Sequence, residues 1–307
     1  MKTKILVFIL IFSKQIGCSQ NTTDYKQKIE TIYKEVKTYD YNPTYQLKVN
    51  ANLCTYEVYI NDMLVVSSFT TGRTAGEQSI DIPQYILKTG NQSIKYKVFP
   101  KAIKNGVLEN TVDKDATLNI RVVHGEYYKI KLEDFKEVLA LKLPKIVEGL
   151  PYIEFGGTFL AKVPYTLEGW SKGMDLKNED QKALEKEVLA RMEEIAGLYR
   201  NKDIEGLAKE HYNRTKETFQ AFFFSSPEES KQWESDLKAS LNSSITIELV
   251  DNKTLKIMGD GKVVTFLISD GPFKNEPILR NETDEEYIFF PQYFYRPSPG
   301  AKLEVIR

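Results

Sequence analysis

Along the first sixty residues the apolar positions change rhythm three times. Lys2 and Lys4 precede an unbroken apolar run from Ile5 to Phe12. That run is too short to span a bilayer, for which ~20 apolar residues are needed, but it suits the hydrophobic centre of an export signal over residues 1–19. Polar Gln20 to Asp24 follows. From Asp24 to Tyr39 the side chains of Ile29, Ile32, Tyr33 and Val36 fall on one helical face, so residues 20–44 read as a tether with a short helix. From Tyr45 the period becomes two: Leu47 and Val49, then Tyr56, Val58 and Ile60, the turn pair Asn61-Asp62, and Leu64 to Phe69. This is a hairpin pattern. Further strands are expected at Gln78–Ile82, Ser93–Phe99, Thr117–Val123 and Tyr127–Leu132, with a glycine-interrupted pair between Tyr152 and Tyr165. Short strands at this spacing, with no helices between them, predict an antiparallel β-sandwich over residues 45–170.

Residues 171–178 are polar and glycine-containing, and read as a linker. Beyond them the period changes to that of a helix. Asn178 followed by Gln181 resembles a capping box, and Leu184, Val188, Met192, Ile195 and Tyr199 recur at 4,4,3,4 spacing. Asp203 opens a second helix, with Thr215–Phe224 continuing helically. Ser226-Pro227-Glu228-Glu229 opens another ahead of Trp233, Leu237 and Leu241. Strands are then expected near Ile245–Leu249, Val263–Ile268, Tyr287–Tyr295 and Leu303–Ile306. Helices followed by antiparallel strands predict an α+β domain over residues 179–307. The chain as a whole is therefore expected to be mixed, a β-sandwich followed by an α+β unit.

Ile195 to Tyr212, IAGLYRNKDIEGLAKEHY, with a further helix and long strands after it, resembles the opening of the nuclear transport factor two-like cone fold. The resemblance covers residues 179–307. Its implication is a helix-covered curved sheet with a cavity, and no catalytic residue carries across. Gly17-Cys18 resembles the modified cysteine of a bacterial lipoprotein signal, although Gln15 and Ile16 depart from the usual pattern. Cleavage after Ser19 is the alternative, since Gly17 and Ser19 satisfy the small-x-small rule. The two-part layout is also similar to uncharacterised secreted or lipoprotein-type envelope proteins of Gram-negative bacteria. That resemblance implies a location in the periplasm, on the outer membrane through a lipid on Cys18, or outside the cell.

Composition narrows the chemistry. The chain has 307 residues with 42 basic against 43 acidic side chains, a net charge of −1. A nucleic-acid partner held by phosphate neutralisation is not expected. Residues 179–307 are net acidic while residues 18–178 are slightly basic, so the second half could face a basic partner. Two His and two Cys in the whole chain argue against zinc, haem, iron–sulfur and disulfide frameworks, and no cofactor motif is present. His124, expected at a turn, and His211 each lack a second ligand at metal spacing. Asp113-Lys114-Asp115 and Asn281–Glu286 are acidic loops without the calcium-loop pattern. Cys54 reads as a small apolar residue of a strand.

Gly169-Trp170-Ser171-Lys172-Gly173 matches the G-x-S-x-G nucleophile turn. It fails on context, because no parallel sheet precedes it and no helix follows directly. What remains is aromatic. Phe223 and Trp233 in the helical stretch and Tyr293 and Tyr295 in the late strand are the candidate ligand-binding residues, against core packing as the plainer alternative. Alternation along the late strand sets Tyr293 and Tyr295 on one side and Phe290 and Phe294 on the other. The sequence therefore favours a non-enzymatic envelope or secreted binding protein for a small ligand or a protein. Two alternatives stay open: an enzyme using carboxylates and tyrosines in the C-terminal cavity, and an immunity-type protein that binds a secreted toxin.

Overall fold

A computed structural model of the chain describes residues 24–70, 76–104, 106–127, 134–242, 246–282 and 287–307. The export signal with Cys18, and most of the Tyr127–Leu132 strand, lie outside the described residues. Two antiparallel sheets form first. In one, β1 (Pro43–Asn52) lies between β4 (Gln78–Asp81) and β6 (Thr117–Glu126), and β7 (Lys136–Lys142) follows on β6. In the other, β2 (Cys54–Ile60) lies between β3 (Met63–Ser68) and β5 (Lys88–Pro100), and β8 (Ile153–Thr166) pairs with β5. Every second residue of β1, β2 and β5 points into one core, where Leu47, Val49, Val58, Ile60, Ile94 and Val98 meet. Each such burial contributes ~1.5–3 kcal/mol.

Asn61 and Asp62 form the expected two-residue turn, both with positive φ, 50° and 60°. The turn is also a docking point. The backbone N–H groups of Gly259 and Asp260 donate to the Asp62 carbonyl (3.1 Å) and carboxylate (3.0 Å). Residues 152–165 differ from expectation, being one continuous strand rather than a pair. Gly156 serves close approach there, since a Cβ would meet the Ile94 carbonyl at 2.6 Å. His124 lies within β6, stacked on Tyr45, and not at a turn.

Residues 24–37 are not a free tether. Helix α1 (Tyr25–Glu30), capped by Asp24, and a 3₁₀ turn at Ile32–Glu35 bury Ile29 and Ile32. The backbone N–H groups of Tyr25 and Lys26 donate to Glu205 at 2.7 and 2.9 Å, and that of Lys37 donates to Gln220. Both acceptors belong to α3 (Ile204–Phe222). Helix α2 (Gln181–Arg200) is capped by Asp180, which accepts from the N–H groups of Lys182 and Ala183. The expected cap, Asn178, belongs instead to a 3₁₀ turn. Before α4 (Pro227–Asn242) the Ser226 N–H donates to Glu229, as the capping pattern predicts. Residues 171–178, expected as a linker, are packed: Leu176 is fully buried in the core of α2, and its N–H donates to Gly261.

Among the described residues, seven strands follow α4. β9 (Thr246–Leu249), β12 (Leu279–Glu282) and β13 (Tyr287–Phe289) make one sheet. β10 (Lys253–Met258), β11 (Val263–Ile268), β14 (Phe294–Tyr295) and β15 (Glu304–Val305) make another. Tyr287–Tyr295, expected as one strand, is divided between the two sheets, with Pro291, which has no N–H for a ladder, at the break. Phe290 and Phe294 pack with α2, while Tyr295 joins Met63, Leu64 and Trp170 in a third cluster. Among the described residues the architecture is thus mixed, with four antiparallel sheets and four helices, the longer helices in the middle of the chain.

Candidate functional site

Leu207, His211, Arg214 and Thr218 are spaced 4,3,4 along α3 and lie on one face. Leu207 and His211 are buried, but at Arg214 and Thr218 the packing opens. Two cavities meet there. The first, about 690 Å³, lies between β3, residues 84–85, α3 and residues 289–293. The second, about 530 Å³, lies between α3, α4 and residues 288–290. Arg214, Thr218 and Phe224 line both. The break in the late strand helps to build this place, because Pro291 turns its carbonyl onto Arg214 Nη1 at 2.9 Å.

That carbonyl is the only hydrogen-bond acceptor for Arg214, and among the described residues no carboxylate pairs with it. The acids one turn away on α3 are engaged elsewhere. Glu210 accepts from Arg191, and Glu217 accepts from Arg307 at 2.9 Å and from the Gly169 N–H at 2.8 Å. Burial pulls the Arg214 guanidinium down from its ordinary value, and the charge of Arg307 adds to the effect. A guanidinium nevertheless remains protonated, so the positive charge stays in the cavity wall.

Arg307, 6% exposed, lines the first cavity too. Its Nε donates to the Gln84 carbonyl at 3.0 Å, while its Nη2 has no partner, nor does the buried Oε1 of Gln84. An unmet donor and an unmet acceptor thus belong to adjoining residues of one wall. Tyr85 and Tyr293 complete it. Burial raises both hydroxyls, and each therefore stays a hydrogen-bond donor. Glu276, the one acid of this cavity, is raised by burial and forms no ion pair among the described residues. In the second cavity, burial and Arg214 lower His211 to about 4; it is neutral at pH 7 and hydrogen-bonded to Gln292 at 3.0 Å.

The four aromatic candidates do not form one pocket. Trp233 lines the second cavity and Tyr293 the first, on either side of Arg214. Phe223 is 2% exposed and inserts into the core between the first two sheets, against Tyr39 and Tyr165. Tyr295 packs in the third cluster and borders a separate cavity beside Gly169. The residues missed by pattern reasoning are Arg214, Arg307 and Tyr85. A signal existed for the first, an arginine seven positions after Leu207 on a helix face otherwise turned inward.

No family model matches the chain, and neither a curated protein nor a solved structure does. What the cavities bind must be read from their own side chains. Among the described residues no three His, Cys, Asp or Glu side chains could hold a metal ion together, and no helix is long and apolar enough to cross a membrane. Ser171 of the G-x-S-x-G match is exposed in a turn, its hydroxyl donating to the Glu168 carbonyl at 2.6 Å. Burial pushes the Cys54 thiol up to about 11, which makes it a poor nucleophile.

Proposed function

We propose that this chain is a binding protein for a small anionic ligand, held in the cavity walled by Arg214, Arg307, Tyr85 and Tyr293. The observation that carries the reading is Arg214: a half-buried cation at the border of two cavities has no carboxylate partner among the described residues, and a ligand anion would supply the missing charge. The two tyrosine hydroxyls add donors suited to carboxylate or phosphate oxygens. Titration calorimetry with small carboxylates and phosphates, each beside its neutral amide or ester, tests this. The anion should bind at least tenfold more tightly than its neutral counterpart, and Arg214→Gln should remove the difference. Equal binding of both would contradict the reading.

The wider setting we infer is a β-sandwich over residues 45–170 followed by an α+β unit, working in the envelope or outside the cell. The support for the first part is the single core shared by the first two sheets. The support for export is the basic and apolar start of the sequence, with Cys18 as the lipid site. Mass spectrometry of the mature protein should find an acylated Cys18, whereas a start at Gln20 would remove the anchor. One observation favours a second reading, catalysis: Glu276, an acid raised by burial, lines the same cavity as Tyr293. Turnover of a bound anion that Glu276→Gln abolishes while binding survives would make the protein an enzyme.

A further inference from the structure

We propose that the two cavities are one site for an anionic amphiphile, with the charged head at Arg214 and the apolar body in the second cavity. This rests on the anion-binding reading and names the ligand class. The two spaces share the walls Arg214, Thr218 and Phe224, so a head at Arg214 is already at the border of the second cavity. The Phe224 ring stands at that border, stacked on Phe222 at 5.2 Å and edge-on to Phe219 at 5.5 Å.

The two spaces differ in chemistry. Gln84, Tyr85, Tyr293, Arg307 and Glu276 make the first the more polar of the two. The second is walled mainly by Phe219, Trp233, Leu237, Ile288 and Phe290. Its histidine, its two acids and Gln232 are engaged with one another or with neighbours. His211 is bonded to Gln292, Asp236 accepts from Gln232 at 2.7 Å, and Glu229 accepts from the Ser226 N–H at 2.9 Å. None of these needs a polar group from a ligand. Trp233 stays only partly buried, leaving ring surface for a ligand to cover.

Charge fixes the direction of the ligand. Glu229 and Asp236 line the second cavity from α4 and repel an anionic head, whereas Arg214 attracts it from α3. An amphiphile with its head at Arg214, away from Glu229 and Asp236, and its body against Trp233 fits both.

Calorimetry on the full chain with acetate, hexanoate, octanoate, decanoate and laurate, and with decanol as the neutral control, tests the proposal. One decanoate should bind per chain. Affinity should rise about fourfold for each added methylene until the cavity is filled, and decanol should bind at least tenfold more weakly than decanoate. Trp233→Ala should weaken decanoate by about tenfold and leave acetate unchanged. An affinity independent of chain length would overturn the apolar subsite while leaving the anion reading intact. Decanol binding as tightly as decanoate, with Arg214→Gln without effect on either, would overturn the anion reading itself. The chain-length series needs only the unmodified protein, so it decides even if a variant fails to fold.

Discussion

Three arginines show how the fold treats a buried guanidinium. Arg191, 3% exposed, donates to the Leu303 carbonyl at 2.9 Å and pairs with Glu194 and Glu210. Arg296 pairs with Glu179 at 2.8 Å and Glu187 at 2.7 Å, fastening α2 to the late strands. Both are satisfied inside the protein; removing Arg191 would strip Glu210 of its cation, and removing Arg296 would strip Glu179 and Glu187 of theirs. Arg214 has one carbonyl. The neighbouring His211 yields a prediction of its own. Its folded pKa near 4 lies below the ordinary 6.5, so the folded state holds fewer protons than the unfolded state between these values. The stability tied to neutral His211 is therefore complete above 6.5 and is lost as pH falls toward 4, about 3 kcal/mol in all. Glu187 and Glu194 are held below 4.5 by Arg296 and Lys302, and their contributions fade only beneath that. Urea unfolding across this range should show the loss in the native protein, and His211→Gln should remove most of it above pH 4.5, leaving the opposed contributions of His124, lowered by burial, and Glu276, raised by burial. An unchanged slope in the variant would refute the assignment.

Among the elements, α3 determines the site, because its inward face forms the border of both cavities and its end is anchored elsewhere. Phe223 closes the helix in the left-handed conformation, φ 55°, which is unfavourable for an aromatic residue by about 1–2 kcal/mol. The burial of its ring against Tyr39 and Tyr165 outweighs that cost. Phe223→Ala should lower the unfolding free energy by about 3 kcal/mol in urea titration; a loss under 1 kcal/mol would mean that the ring does not anchor the helix. The position was visible in the sequence as one of several phenylalanines, but its role was not, because a helical pattern cannot report that the chain reverses at residue 223. The hairpin at Asn61-Asp62 and the period of α2 were legible, since each depends on neighbouring residues. β7 and β10 were not. Lys136–Lys142 and Lys253–Met258 carry lysines among their apolar residues, and their pairing is set by β6 and β11. The division at Pro291 was signalled by the proline, and the alternation on either side of it placed Phe290, Phe294 and Tyr295 on the correct faces.

At the scale of the whole molecule, the early sheets and the late strands meet at a shared cluster and at single buried hydrogen bonds. Trp170, Met63, Leu64, Tyr295 and Ile306 share one cluster, and Asn275 donates to the buried Glu57 of β2 at 2.7 Å. Unfolding should therefore be a single transition, with Trp fluorescence and far-ultraviolet circular dichroism giving the same midpoint; two separated midpoints would show halves of independent stability. The site draws on the same long-range contacts. Gln84 and Arg307 meet across the chain, as do Arg214 and Pro291, and no local pattern announces such pairs. The sequence thus held the aromatic walls in Trp233 and Tyr293, while the cation between them became visible only once the acids around it were seen to be engaged. The most direct test of that cation's role is a thermodynamic cycle: the unfolding free energies of the native protein and Arg214→Met, each with and without saturating decanoate. Without ligand, Arg214→Met should be at least as stable as the native protein, because it removes an unpaired charge. With ligand at a hundredfold excess over its dissociation constant, the native protein should gain about 2.7 kcal/mol and the variant, binding at least tenfold more weakly, no more than about 1.4 kcal/mol. A variant that loses about 3 kcal/mol without ligand, or that gains as much as the native protein with it, would contradict the account.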